Sequence, residues 1–133
     1  MDLLDFKPTT DTVEVVLKHP GNGETLTHDK PNKPMTITVY LPHSRVYKDA
    51  LHEQTNKRIQ KAQKKKGMSF TAEDVEMASL ELQAKATKDW DITLGKEKIK
   101  FSVAKAIEVY SDFPWIVAQI DEAIEEATSF TKA

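Results

Sequence analysis

The sequence predicts an α+β fold: an N-terminal antiparallel β-hairpin, then about four helices, with a short extended or hairpin segment around residues 89–101. Three observations carry that expectation. Two stretches near the N-terminus alternate β-branched and polar residues with a period of two, as half-buried strands do. Four later stretches begin beside a capping residue and carry apolar residues at helical spacing. Between the second and third of these, helical spacing fails and alternation returns.

The 133 residues suit one domain and can bury a core without staples. We expect a flexible arm at 1–11, a single α+β domain at 12–130 and a frayed tail at 131–133. Hydrophobic residues make up 39% and charged residues 30%, the balance of a soluble globular chain. There is no cysteine, which excludes a disulfide scaffold, a cysteine-ligated zinc site and a thiol nucleophile. Asp2 and Asp5 stand where a signal peptide would carry basic residues, so none is expected. No apolar run approaches the ~20 residues that span a bilayer. The net charge of −2 hides an asymmetry. Residues 57–66 hold six basic side chains and no acid, whereas 112–126 hold five acids and no Lys or Arg.

The first strand is read over Thr12–Lys18, with Val13, Val15 and Leu17 on one face. The second is read over Met35–Leu41, with Ile37, Val39 and Leu41 on one face. Three prolines, two glycines and two asparagines make His19–Pro34 a loop, the long mobile tip of the hairpin.

Ser44 can cap a helix running to about Lys66, with Gly67 as its stop. Its stripe of Tyr47, Leu51, Ile59 and Ala62 is thin. Thr71 and Asp74 form the pattern of a capping box, with Phe70 and Val75 placed to close a hydrophobic staple. This helix should reach about Lys88, with Val75, Ala78, Leu82 and Ala86 as one stripe and Met77 and Leu80 widening it. Trp90, Ile92 and Leu94 then alternate with polar residues, Gly95 to Glu97 can turn, and Ile99 and Phe101 alternate with lysines. Ser102 can cap a short helix bearing Val103, Ile107 and Tyr110. Phe113 followed by Pro114 sets a boundary, and Pro114 suits the first turn of a last helix carrying Trp115, Ile116, Ile120, Ala123, Ile124 and Ala127.

Catalytic chemistry finds little support. No glycine-rich phosphate loop is present. His19, His28, His43 and His52 show no helical zinc spacing, and the first three fall in or beside loops, where solvated histidines are expected. Asp89 and Asp91 read as solvated acids flanking a core tryptophan rather than an acid/base pair. No serine has a histidine partner that sequence can point to. We expect no enzyme activity, no cofactor and no metal.

The basic run supplies the candidate partner-binding residues: Lys57, Arg58, Lys61, Lys64, Lys65 and Lys66. A nucleic-acid footprint is one reading. The negative net charge and the absence of interleaved aromatics favour a solvated or protein-contacting face instead. Self-association, with the basic helix of one copy against the acidic 112–126 segment of another, is a third reading. Tyr110, Phe113 and Trp115 sit at helical spacing that favours core over contact surface.

Read in order, Trp90, a Gly95–Lys96 turn, Ile99, Phe101, Ser102, a short helix with Ala104 and Ala106, then Pro114, Trp115, Ile116 and Gln119, with Phe130 near the end, resemble the tail assembly chaperones of long-tailed, lambda-like, non-contractile bacteriophages. The strand pair, and Pro42, Ser44 and Tyr47 opening a helix, extend the resemblance over about 12–130. Trp90, Ile99, Phe101, Ser102, Pro114, Trp115 and Gln119 are its signature; the lysine-rich helix end departs from it. The resemblance implies a non-catalytic protein of the host cytoplasm, absent from the mature virion. It would bind the tape measure protein and the tail tube protein and promote tube polymerisation. Many such proteins are also made in a longer, frameshifted form. No membrane partner is implied. A minor tail or head–tail connector subunit and a nucleic-acid-binding protein are the rival readings.

Overall fold

The computed structural model of the chain describes residue 3 and residues 10–28, 33–64 and 71–128, without the side chains of residues 62 and 64. Most of the expected arm, the helix stop at Gly67, the staple residue Phe70, the Phe130 that closes the resemblance and the expected tail at 131–133 lie outside them.

Strands β1 (Thr12–Val16) and β2 (Thr36–Tyr40) form the expected antiparallel pair, with Val15 opposite Ile37 and Val13 opposite Val39. The ladder runs one step further, because the Leu41 N–H donates to the Asp11 carbonyl at 2.7 Å. His43 Nε2 lies 2.9 Å from the Thr10 carbonyl and 3.4 Å from Asp11 Oδ1. The last residues of the expected arm are therefore tied to the domain.

Helices α1 (Arg45–Lys64) and α2 (Ala72–Lys85) follow as an antiparallel pair. Ser44 Oγ accepts from the Tyr47 N–H at 3.2 Å, as a cap should. At α2 both bonds of the capping box are present: Thr71 Oγ1 accepts from the Asp74 N–H, and Asp74 Oδ2 accepts from the Thr71 N–H. The helix stops at Lys85 rather than near Lys88. Tyr40 N–H donates to the Ala86 carbonyl, and the chain leaves α2 as a strand.

That strand, β3 (Thr87–Asp91), opens the extended stretch expected around 89–101, and its partner lies outside that stretch. It pairs antiparallel with β2, giving a sheet of order β1-β2-β3. Long-range pairing with β2 won over local pairing because it places Trp90 opposite Ile37 on the core face. Lys88 bulges out between the pairs Thr38–Asp89 and Val39–Thr87. The local hairpin is confined to β4 (Thr93–Leu94) and β5 (Glu97–Lys98). Its turn residues Gly95 and Lys96 both have positive φ, 61° and 67°, as tight hairpin turns require.

Helices α3 (Val103–Asp112) and α4 (Pro114–Thr128) complete the chain. Ser102 caps α3 by accepting from the Lys105 N–H, and Pro114 takes the first position of α4. Side chains alternate across the sheet. Val15, Ile37, Val39 and Trp90 point to one face, where Ala84 of α2, Ala106, Val109 and Tyr110 of α3, and Ile116 and Ile120 of α4 close the core. Glu14, Thr36, Thr38, Asp89 and Asp91 hold the other face, and none of them is buried.

The described part of 19–34 is more than a loose tip. Leu17 N–H donates to Met35 O, Met35 N–H to Leu26 O, and Leu26 N–H to Leu17 O, a closed ring of three bonds of 2.8–3.0 Å. Residues 25–27 thus wedge between the separating ends of the two strands, bridging Lys18 to Thr25 and Thr27 to Pro34.

Candidate functional site

The basic run lies on the outer half of α1. Lys57, Arg58 and Lys61 line a groove of about 200 Å3 between α1 and α2, together with Asp74, Met77 and Glu81. Their charge is partly met within the chain. Lys85 Nζ and Lys57 Nζ lie 3.2 and 3.3 Å from the same Glu53 oxygen, and together they hold the Glu53 carboxyl below the ordinary carboxylate range. The Asp74 carboxyl is also held low, first by the Thr71 backbone N–H and the Thr71 side chain, with Lys61 adding attraction. Exposed pairs of this kind contribute little stability. They offset part of the charge at Lys57 and Lys61. Lys64 lies in the helix, and Lys65 and Lys66 fall outside the described residues.

The outer halves of α1 and α2, which together form an outer arm, also expose apolar side chains. Ile59 is 51% exposed, Val75 52% and Met77 49%. Every described side chain from Thr55 to Gln63 and from Thr71 to Met77 is exposed. Among the described residues of the stripes expected on α1 and α2 only Ala86, the cap residue, is buried; the other buried apolar residues of the pair, Ala50 and Ala84, also lie near the body. The outer arm carries an amphipathic surface with apolar residues set among lysines and acids.

The signature residues lie elsewhere and are chiefly packing. Trp90 is buried, donates from Nε1 to the Ile99 carbonyl at 3.0 Å, and meets Phe101 and Tyr110 edge-on at 5.1 and 6.4 Å. One indole thus joins β3, the segment after β5, and α3. Trp115 is half-buried, edge-on to Phe113 at 6.3 Å. Phe113, Trp115 and Ile99 border an apolar cleft of about 240 Å3 with Leu17, Leu26 and Met35. Gln119 reaches across to Lys18: its Nε2 donates to the Lys18 carbonyl at 2.8 Å, and its Oε1 accepts from the Lys18 N–H at 2.9 Å.

Two buried polar contacts escaped sequence reasoning. His28, expected in solvent, is 1% exposed. Its Nε2 lies 3.1 Å from both the carbonyl and Oδ1 of Asp91, and its Nδ1 hydrogen-bonds the Thr93 hydroxyl. With the proton on Nε2, Nδ1 accepts from Thr93, so the neutral ring is satisfied at both nitrogens. Tyr110 is also fully buried; its hydroxyl contacts Thr87 Oγ1 at 2.6 Å, and Thr87 donates to the Gln83 carbonyl. Burial pushes the Tyr110 hydroxyl up to about 12. Both contacts join residues far apart in the chain, so no local pattern announces them. Asp89 and Asp91 match their expectation in part: Asp89 is exposed and accepts from the Trp90 N–H, but Asp91 is drawn to His28 and to Lys98 at 3.7 Å.

Among the described residues no cluster of His, Asp or Glu is placed to hold a metal ion, and no helix is long and apolar enough to cross a membrane. No family model matches the chain, and no curated protein or solved structure matches it either.

Proposed function

We propose that this protein is a non-catalytic tail assembly chaperone of a long-tailed, lambda-like bacteriophage. It binds the tape measure protein in the host cytoplasm, keeps it soluble, promotes tail tube polymerisation and does not remain in the mature virion. The observation that carries this reading is the ordered signature from Trp90 to Gln119. The outer arm supports it physically. An amphipathic helix is held by apolar contacts flanked by charge, and Ile59, Val75 and Met77 stand beside Lys57, Lys61, Asp74 and Glu81. The nucleic-acid reading has less support, because Lys57 and Lys61 already face carboxylates.

Co-expression with the tape measure protein encoded by the same phage tests the proposal. The tape measure protein should move into the soluble fraction with the intact chain and stay insoluble with Ile59→Ser/Met77→Ser. If it remains insoluble with the intact chain, the chaperone reading is wrong. Stoichiometric recovery of this chain from purified virions would favour a minor tail or connector subunit instead.

A further inference from the structure

The two edges of the sheet are finished differently. On β3, the Trp90 N–H is taken by Asp89 Oδ1 at 2.8 Å, and the Ile92 carbonyl accepts from the Ile99 N–H at 3.2 Å. These two outward groups, one on the strand and one just past its end, are taken by their own chain. On β1, the odd-numbered residues turn their backbone groups toward β2, as the bonds from Leu17 N–H to Met35 O and from Leu41 N–H to Asp11 O show. Alternation then points the N–H and C=O groups of Thr12, Glu14 and Val16 away from the sheet. No described residue pairs with them.

Lys18 is the next residue in that outward row. There the carboxamide of Gln119 both donates and accepts, at 2.8 and 2.9 Å. A side-chain amide thus stands where the peptide group of another strand would stand. Beyond it a groove of about 500 Å3 lies between β1 and α4. Among the described residues, Glu14, Glu122 and Glu126 line it with one lysine, Lys18, and Ala123 gives it an apolar spot.

We propose that the β1 edge and this groove bind an extended peptide bearing lysine or arginine, which adds to the sheet as a further strand beside β1. Main-chain bonds to Glu14 and Val16 supply the pairing, and the carboxylates of Glu14 and Glu122 select the charge. Gln119 fixes where the added strand ends. A second copy of the chain is a poor occupant. Two β1 strands pairing about a two-fold axis through Glu14 would set like charges directly opposite each other. The inference stands on the ladder and the groove, and it does not depend on the chaperone reading.

The probe is a fluorescent peptide of alternating lysine and valine, about seven residues long to match the strand, titrated into the full chain by anisotropy. Controls are the glutamate–valine peptide and the lysine–valine peptide with alternate amides N-methylated. Saturable binding on the order of 10–100 µM is expected for the first peptide, with at least about a tenfold loss for either control. Val16→Pro removes an outward donor without touching the bonds to β2, as an edge position allows. It should weaken binding by about tenfold with the urea midpoint nearly unchanged. Equal binding of the N-methylated peptide would overturn the proposal, since charge alone would then explain it, and that control stands even if Val16→Pro fails to fold. Absence of binding at millimolar peptide, or a dimer of the chain abolished by Val16→Pro, would overturn it as well.

Discussion

Helix α1 carries six apolar residues in 20 and α4 eight in 15, and the two helices use them in opposite ways. The 15 residues of α4 bury Ile116 and Ile120 and half-bury Trp115, Val117, Ala123 and Ile124 against the sheet. The 20 residues of α1 bury Ala50 and leave Val46, Leu51 and Ile59 exposed. Packing on the core sustains α4. The outer turns of α1 rest on local charge pairs and the groove with α2. A stripe in sequence therefore shows that a helix is amphipathic, not that its apolar side is covered by the same chain.

The largest expected effect tests the packed side. Trp90→Ala should cost ~3–5 kcal/mol in a urea melt, because it empties a site shared by β3, the segment after β5, and α3. The corresponding truncation on the arm, Ile59→Ala, should cost less than ~0.5 kcal/mol. Similar losses for the two would erase the distinction between body and arm.

A second measurement sharpens the description of the body. Tyr110 titrates at about 12 in the folded chain, against 10.0 for an ordinary tyrosine. As pH rises the unfolded chain loses this proton first, so the stabilisation is whole below pH 10 and is lost progressively as pH climbs through about 12. The loss amounts to at most about 3 kcal/mol. Tyr110→Phe has no such proton. Wild type should therefore lose stability relative to the variant between pH 10 and about 12; a constant difference would mean that the hydroxyl is not desolvated.

The smallest effect concerns the arm. Glu53 and Asp74 have lowered carboxyl pKa values, so whatever they contribute is present above the unfolded carboxylate range and fades as pH falls through their folded values. Both are exposed, and Glu53→Gln should leave the melting temperature nearly unchanged between pH 3 and 7. A clear acid-side change would show the arm to be more tightly held than its exposure suggests.

These contrasts also mark what sequence could tell. The caps at Ser44, Thr71 and Ser102, the faces of β1 and β2, and the break at Pro114 are local, and each was legible because its physics acts within a few residues. The α+β class followed from them. The pairing of β3 with β2, the wedge at Leu26 and the burial of His28 depend on partners dozens of residues away. The candidate site divides in the same way. The basic run was visible as composition, and the Glu53–Lys57 pair follows from i,i+4 spacing, but the approach of Lys85 to Glu53 and of Asp74 to Lys61 appears only when α1 and α2 are set side by side. Gln119 was legible as a signature residue, though its hold on Lys18 was not.

The bond from Tyr40 N–H to the Ala86 carbonyl closes the base of the arm at 2.6 Å. The chain departs from the sheet and returns to it at neighbouring points, and further out Gln54 Nε2 ties the two helices by donating to the Ala78 carbonyl at 2.5 Å. Turns beyond that tie can be lengthened or trimmed with little consequence for the sheet, since doubling a closed excursion costs only about 0.6 kcal/mol of closure entropy. The arm is thus the part of the molecule whose reach can be tuned by insertion and deletion while the body keeps its register.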